Sequence, residues 1–302
     1  MKRLLAVGAA CLTITGILIL FGCGDDDNPA NPGPPQEAFG VDTLLTGLEY
    51  PSGLWVQGDR VYFTETNGRN TAYGGAVRLS VYKLAAQQES LLVNNPTCSD
   101  AVVVASDNKI YLASYVSALP GESGQVSVVN PSTLVEASVV NVEIAVTDMY
   151  IEGDDDITVI GMSDQPTAKS LYRLPAGNYT APEVLKNGLG RVWAVTEQGN
   201  DTYYSNISAI QKISGMVVSE WYAKSAISIS ASSKYLFYAN YSAGEIGMID
   251  FATKTDSVLV SGVHAPLAVR WVAATNRLYF TEGGTTAGQY KDGTLQVIKG
   301  IR

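Results

Sequence analysis

The chain has 302 residues, 46% of them hydrophobic and only 16% charged, with 29 Gly, 17 Tyr and a formal net charge of −9. Such acidity, with no basic stripe, argues against nucleic-acid binding and against adhesion to anionic lipid by charge, because repulsion has nothing to offset it. Low charge with abundant Gly, Tyr, Val and Ser selects many short strands joined by tight turns.

The first element is Met1-Lys2-Arg3, an apolar run from Leu4 to Phe21, then Gly22-Cys23. A short basic start, a hydrophobic stretch and a small residue before a break describe an export signal. A cysteine directly after that break resembles the lipobox of bacterial lipoproteins. The resemblance implies removal of residues 1–22, diacylation of Cys23, and a mature chain of charge about −11 held on a membrane by its lipid. The competing reading is a transmembrane anchor, since ~18 apolar residues approach the ~20 that span a bilayer. The lipoprotein reading places the chain at the bacterial cell envelope, on the outer membrane or cell surface, with an envelope protein or a small-molecule or glycan ligand as its partner.

Residues 23–40 follow as a tether. Gly24-Asp25-Asp26-Asp27-Asn28 and the Pro-, Gly- and Asn-rich stretch to Pro35 cannot bury a core and read as an extended spacer. The acidic run after Cys23 resembles the surface-export signals of some outer-membrane lipoproteins; plain solvation of a linker explains it equally. Of the three cysteines, Cys11 lies in the signal and Cys23 carries the lipid, which leaves Cys98 alone in the folded part. No intrachain disulfide is then possible, and Cys98 reads as a small buried apolar residue.

From Val41 the chain repeats itself. Each unit has a short apolar strand, a polar turn, and a second strand rich in Tyr and Val. Gly53-Leu54-Trp55-Val56, Gly58-Asp59 and Val61-Tyr62-Phe63-Thr64-Glu65 make the first. Ala268-Val269-Arg270-Trp271, Thr275-Asn276 and Leu278-Tyr279-Phe280-Thr281-Glu282 make the last. Second strands recur at 61, 110, 157, 202, 235 and 278, an average step of about 43 residues, which is a propeller-blade period. A third alternating strand (residues 75–83, 124–129, 244–249, 293–298) and a fourth (90–93, 257–260) complete each unit. The expectation for 41–302 is an all-β, six-bladed β-propeller of four-stranded antiparallel blades. The sixth unit lacks its fourth strand, and Val41–Thr46 is expected to supply it by pairing with 294–298. Closure of that kind removes an exposed sheet edge.

Val61–Glu65 and Leu278–Glu282 resemble the Tyr-Trp-Thr-Asp strand, and Pro51-Ser52-Gly53-Leu54 the Pro-x-Gly-Ile entry, of NHL-type and YWTD-type propellers. That group includes streptogramin-lyase-like and SMP-30/gluconolactonase-like proteins. The resemblance implies architecture more than activity, since such folds host enzymes and binders alike.

Propeller geometry selects one face for a site. The positions ahead of each innermost strand are Ser52, Asp100, Asp148, Arg191, Ser225 and His264. The second-strand exits add Glu65, Tyr115, Asn240 and Glu282, and the long loops 66–74, 115–123, 162–167 and 283–292 open on the same side. Asp100 and Asp148 occupy equivalent sites in consecutive blades. They are candidates to hold Ca²⁺ or Mg²⁺ with carbonyls and water, to pair with Arg191, or to cap turns. The expected ligand site is therefore Asp100, Asp148, Arg191, Glu65, Glu282 and Ser52.

SMP-30-like lactonases hold a divalent ion with Glu, Asn and Asp, and the first of these has no Glu counterpart here. Streptogramin-lyase-like enzymes use a channel histidine with Mg²⁺; His264 is this chain's only histidine, read as a general base or as a bland surface residue. Asp154-Asp155-Asp156 reads as a solvated hairpin turn on the opposite face. Trp55, Trp193 and Trp271 lie in innermost strands, where packing explains them better than a sugar platform. The function these residues favour is ligand or protein binding at the envelope, with a metal-dependent lyase or lactonase at the channel mouth as the alternative.

Overall fold

A computed structural model describes residues 37–66, 77–97, 100–115, 124–151, 153–162, 169–206, 208–285 and 291–301. The signal, Cys23, most of the tether, Cys98 and most of the four long loops lie outside the described residues.

Phe39 to Arg302 forms one unit. Its strands run in chain order. After β1 (Gly40–Leu48), the first blade is β2 (Pro51–Gln57), β3 (Arg60–Glu65), β4 (Arg78–Lys83) and β5 (Gln88–Asn94). The second is β6 (Ala101–Val104), β7 (Ile110–Tyr115), β8 (Gly124–Val129) and β9 (Glu136–Val142). The third is β10 (Ala145–Ile151), β11 (Ile157–Met162), β12 (Lys169–Leu174) and β13 (Glu183–Asn187). The fourth is β14 (Val192–Gln198), β15 (Asp201–Asn206), β16 (Ile210–Ser214) and β17 (Val217–Tyr222). The fifth is β18 (Ser228–Ala231), β19 (Tyr235–Asn240), β20 (Glu245–Asp250) and β21 (Asp256–Ser261). The last is β22 (Pro266–Val272), β23 (Arg277–Glu282) and β24 (Gly293–Lys299). Each is a four-stranded antiparallel sheet in chain order, and β1 completes the sixth as β1-β24-β23-β22. The first strands of successive blades touch one another around a closed ring, β22 against β2 included. The fold is the expected six-bladed propeller, with no helix among the described residues.

Local chemistry explains the strands. Innermost strands are covered on both faces, so they read as short apolar runs rather than alternating ones; every residue of Ala101–Val104 is buried. Outer strands such as β17 are largely exposed. The hairpins joining first to second strands turn on residues that tolerate a left-handed backbone: Gly58, Asn108, Asp155, Gly199 and Asn276 all have positive φ. Aromatics fill the space between blades. Phe63, Phe237, Tyr238, Tyr279 and Phe280 are fully buried, and Trp271 stacks on Phe237 at 4.8 Å between ring centroids.

The ring closes as the sequence requires. Asp42 pairs with Val297, Leu45 with Leu295 and Thr46 with Thr294, and Lys299 forms an ion pair with Asp42 across the seam.

The innermost strand of each blade is a sheet edge, so its outward N–H groups need partners. Side chains of the preceding blade supply them. Thr196 Oγ1 accepts from Ala231 N at 3.1 Å, Ser228 Oγ from Val269 N at 3.1 Å, and Ser230 Oγ from Trp271 N at 3.0 Å. These short polar side chains staple blades four, five and six around the channel.

Candidate functional site

Four innermost strands slip register near their starts, between Pro51 and Leu54, Val146 and Asp148, Val192 and Ala194, and Pro266 and Ala268. A bulge leaves its extra residue out of the ladder and re-aims side chains. Here the unpaired residues are Ser52 and Gly53, Thr147, Trp193 and Leu267, and all of them line one cavity of about 430 Å³ at the central channel. Its walls are the first halves of the innermost strands with the residues just ahead of them. Tyr50, Asp100, Ser225, Ser228, Tyr241 and Ser242 add polar groups, and Asp148 and Arg270 add charge.

Asp148 occupies the stapling position of blade three. Its Oδ2 accepts from Val195 N of blade four at 3.0 Å and its Oδ1 from Met149 N at 2.8 Å. It keeps a little exposure toward the cavity and is otherwise enclosed by protein. That burial disfavours the charged form and pushes its carboxyl up to about 7, against the two amide hydrogen bonds and the positive charge of Arg270, which hold it down.

Arg270, on β22, reaches across the channel. Its guanidinium carbon lies 3.4 Å from the centroid of the Trp55 ring on β2 and 5.1 Å from that of Tyr150 on β10. Trp55 and Tyr150 meet edge to face at 6.4 Å. Each of these residues comes late in its strand, so together they form the floor beneath the cavity. Burial lowers the Arg270 guanidinium to about 10, opposed by Tyr150 and Asp148, which leaves it charged at neutral pH.

The expected site residues divide. Ser52, Asp100 and Asp148 line the cavity together. Arg191 is exposed and is not among the lining residues; the cation that faces Asp148 is Arg270. His264 is exposed and likewise absent from the lining. Glu65 and Glu282 each accept a backbone amide and are not among the described lining residues. Glu65 accepts from Glu49 N at 2.7 Å, and Glu282 from His264 N at 2.8 Å. Both caps fix the entry to an innermost strand just ahead of a positive-φ residue and a proline, Tyr50-Pro51 in one case and Ala265-Pro266 in the other. The threonine before each glutamate accepts from the bulged strand: Thr64 Oγ1 from Gly53 N at 2.9 Å, Thr281 Oγ1 from Ala268 N at 3.1 Å. The Tyr-Phe-Thr-Glu strand therefore braces the channel rim, while the second oxygen of Glu65, Oε2, is buried without a hydrogen-bond partner among the described residues. Burial raises the Glu65 carboxyl, as expected for an acid 2% exposed.

Asp154–Asp156 does form the expected hairpin turn, but it is not merely solvated. Asp155 accepts from Ser106 N at 2.9 Å, and the buried Asp156 accepts from Ala176 N at 2.7 Å and pairs with Arg173. The run fastens blade three to blade two.

A divalent ion held by protein side chains does not fit this donor set. Among the described residues no three His, Cys, Asp or Glu side chains gather. Both Asp148 oxygens already accept backbone amides, and Arg270 stands where a cation's charge would be felt.

No family model matches the chain, and no curated protein matches it in sequence. Solved structures do match in fold. A calcium-binding regucalcin from Agrobacterium tumefaciens aligns with a TM-score of 0.66 at 13% identity, over 87% of this chain and 96% of that one. A gluconolactonase from Xanthomonas campestris aligns at 0.66 and 11% identity, over 86% and 89%. The PQQ-bound aldose sugar dehydrogenase from Streptomyces coelicolor aligns at 0.64 and 14% identity, over 88% and 99%. At these identities the likeness establishes a six-bladed propeller and nothing finer. A tricarboxylate such as PQQ also suits this cavity poorly, because among the described residues Arg270 is the one lining cation against Asp100 and Asp148.

Proposed function

We propose that the central cavity takes a monosaccharide-sized polar molecule and that Asp148 moves a proton on it. One observation carries this reading: a carboxyl poised near neutrality at the wall of a partly open cavity. A general acid–base group works best with its pKa near the ambient pH. Sugar-acting enzymes among the fold's neighbours, the gluconolactonase and the aldose sugar dehydrogenase, lend support at the level of architecture. The reaction that fits is hydrolytic ring opening of a sugar lactone without a side-chain-held metal. The Asp148 carboxylate takes a proton from water as the water oxygen bonds to the carbonyl carbon. The ring C–O bond then breaks, and the departing oxygen takes that proton back.

The test is hydrolysis of glucono-δ-lactone by the full chain, followed in a pH-stat. The wild type should accelerate ring opening, its rate rising as pH passes through about 7, and Asp148→Asn should lose ~10²-fold or more. An unchanged rate in the variant removes Asp148 from the chemistry. Thermal protection by the lactone without turnover would favour the second reading, a binding protein in which Asp148 only staples blade four; its two occupied oxygens speak for that role. Under either reading the Cys23 lipid would hold the cavity at the cell envelope.

A further inference from the structure

Arg270 is spent on nothing else. Among the described residues its guanidinium makes no hydrogen bond and no ion pair; its contacts are the faces of Trp55 and Tyr150. Asp148 is near enough for its charge to be felt, yet the two form no ion pair. An arginine carries five N–H donors in a planar fork. Donors that border a cavity and have no partner among the described residues are open to an acceptor of matching shape. The two rings lie at roughly a right angle about the guanidinium carbon, so they cover only part of the group and leave the rest of its fork of donors toward the cavity. A carboxylate fits that fork with two parallel hydrogen bonds.

We infer that the cavity's ligand is an organic acid of monosaccharide size, its carboxylate seated on Arg270 and its hydroxyls among Ser52, Ser225 and Ser242. The inference rests on the reading of the central cavity as the ligand site. Size follows from the 430 Å³ available. A single anionic group follows from the charge count of the described lining residues: one cation is offered, and further acidic groups would meet Asp100 and Asp148. The chain's net charge of −9 gives an acid no long-range steering, so selectivity has to come from Arg270 itself.

Calorimetric titration of the full chain with D-gluconate and D-sorbitol tests this, since the pair differs only in a carboxylate replacing a CH₂OH. Gluconate should bind about tenfold or more tighter, the worth of a hydrogen bond to a charged group. Arg270→Gln should erase the preference, and Arg270→Lys, which keeps charge but loses the fork, should erase most of it. Near-ultraviolet circular dichroism of the Trp55 and Tyr150 rings reports whether either variant keeps its floor. Equal affinities in the wild type, or a preference that survives Arg270→Gln, overturn the inference. Failure of both probes to bind overturns the cavity reading with it. Lactone turnover without acid preference sinks this inference alone, and acid preference without turnover sinks only the proton-transfer role of Asp148.

Discussion

Asp148 couples blade assembly to proton affinity. Its oxygens do the work that Thr196, Ser228 and Ser230 do elsewhere in the ring, but a carboxyl in that place carries a charge that burial penalises. The folded chain therefore holds the Asp148 proton more tightly than the unfolded chain, whose value is near the ordinary 3.8. The stabilisation linked to that proton is complete below about pH 4 and is lost as pH rises through about 7. Asp148→Asn removes the titration. Melting curves at several pH values should place the variant below wild type in acid, where one amide loses its acceptor, and the gap should shrink as pH rises toward about 8. A gap constant with pH would mean that Asp148 does not titrate in this range. Asp148 was legible in the sequence because it precedes the apolar run Met149–Ile151 as Asp100 precedes Ala101–Val104, although β10 itself begins at Ala145. The fate of Glu65 and Glu282 was not, because composition cannot distinguish a carboxylate that faces a ligand from one that caps the Glu49 and His264 amides.

Strand boundaries were legible for a physical reason: the buried innermost run, the polar turn and the aromatic second strand each impose their own pattern, repeated around the ring. Register shifts leave no such trace. The bulge at Leu267 decides that Arg270 reaches the channel, and nothing in Ala268-Val269-Arg270-Trp271 announces it. The readable hint was a lone cation within an otherwise apolar innermost strand. The seam between β1 and β24 rests on a close approach at Gly293. A Cβ there would stand 2.7 Å from the Glu282 carbonyl oxygen, 2.8 Å from that of Leu48 and 2.9 Å from Pro51 Cδ. Two of these are backbone atoms on opposite neighbours, so neither can swing aside. Gly293→Ala should cost about 1–3 kcal/mol and lower Tm by about 2–4 °C per kcal/mol. A variant that melts with the wild type would show the seam to be slack.

For the whole molecule, the proposed envelope location rests on Cys23. Radiolabelled palmitate supplied to bacteria expressing the full chain should label the wild type and bring it down with membranes, whereas Cys23→Ser should remain unlabelled. Labelling of the serine variant would remove the lipoprotein assignment. The seam also has a consequence in time. β1 is among the first folded segments to leave the ribosome, and its partner β24 is made only after Lys299 has been added. At ~5–20 residues per second, β1 waits on the order of 10–50 s for that partner. Throughout that interval the nascent disc is an open horseshoe with a raw edge at each tip, so the newborn chain has reason to depend on a chaperone's shelter until β24 has been made.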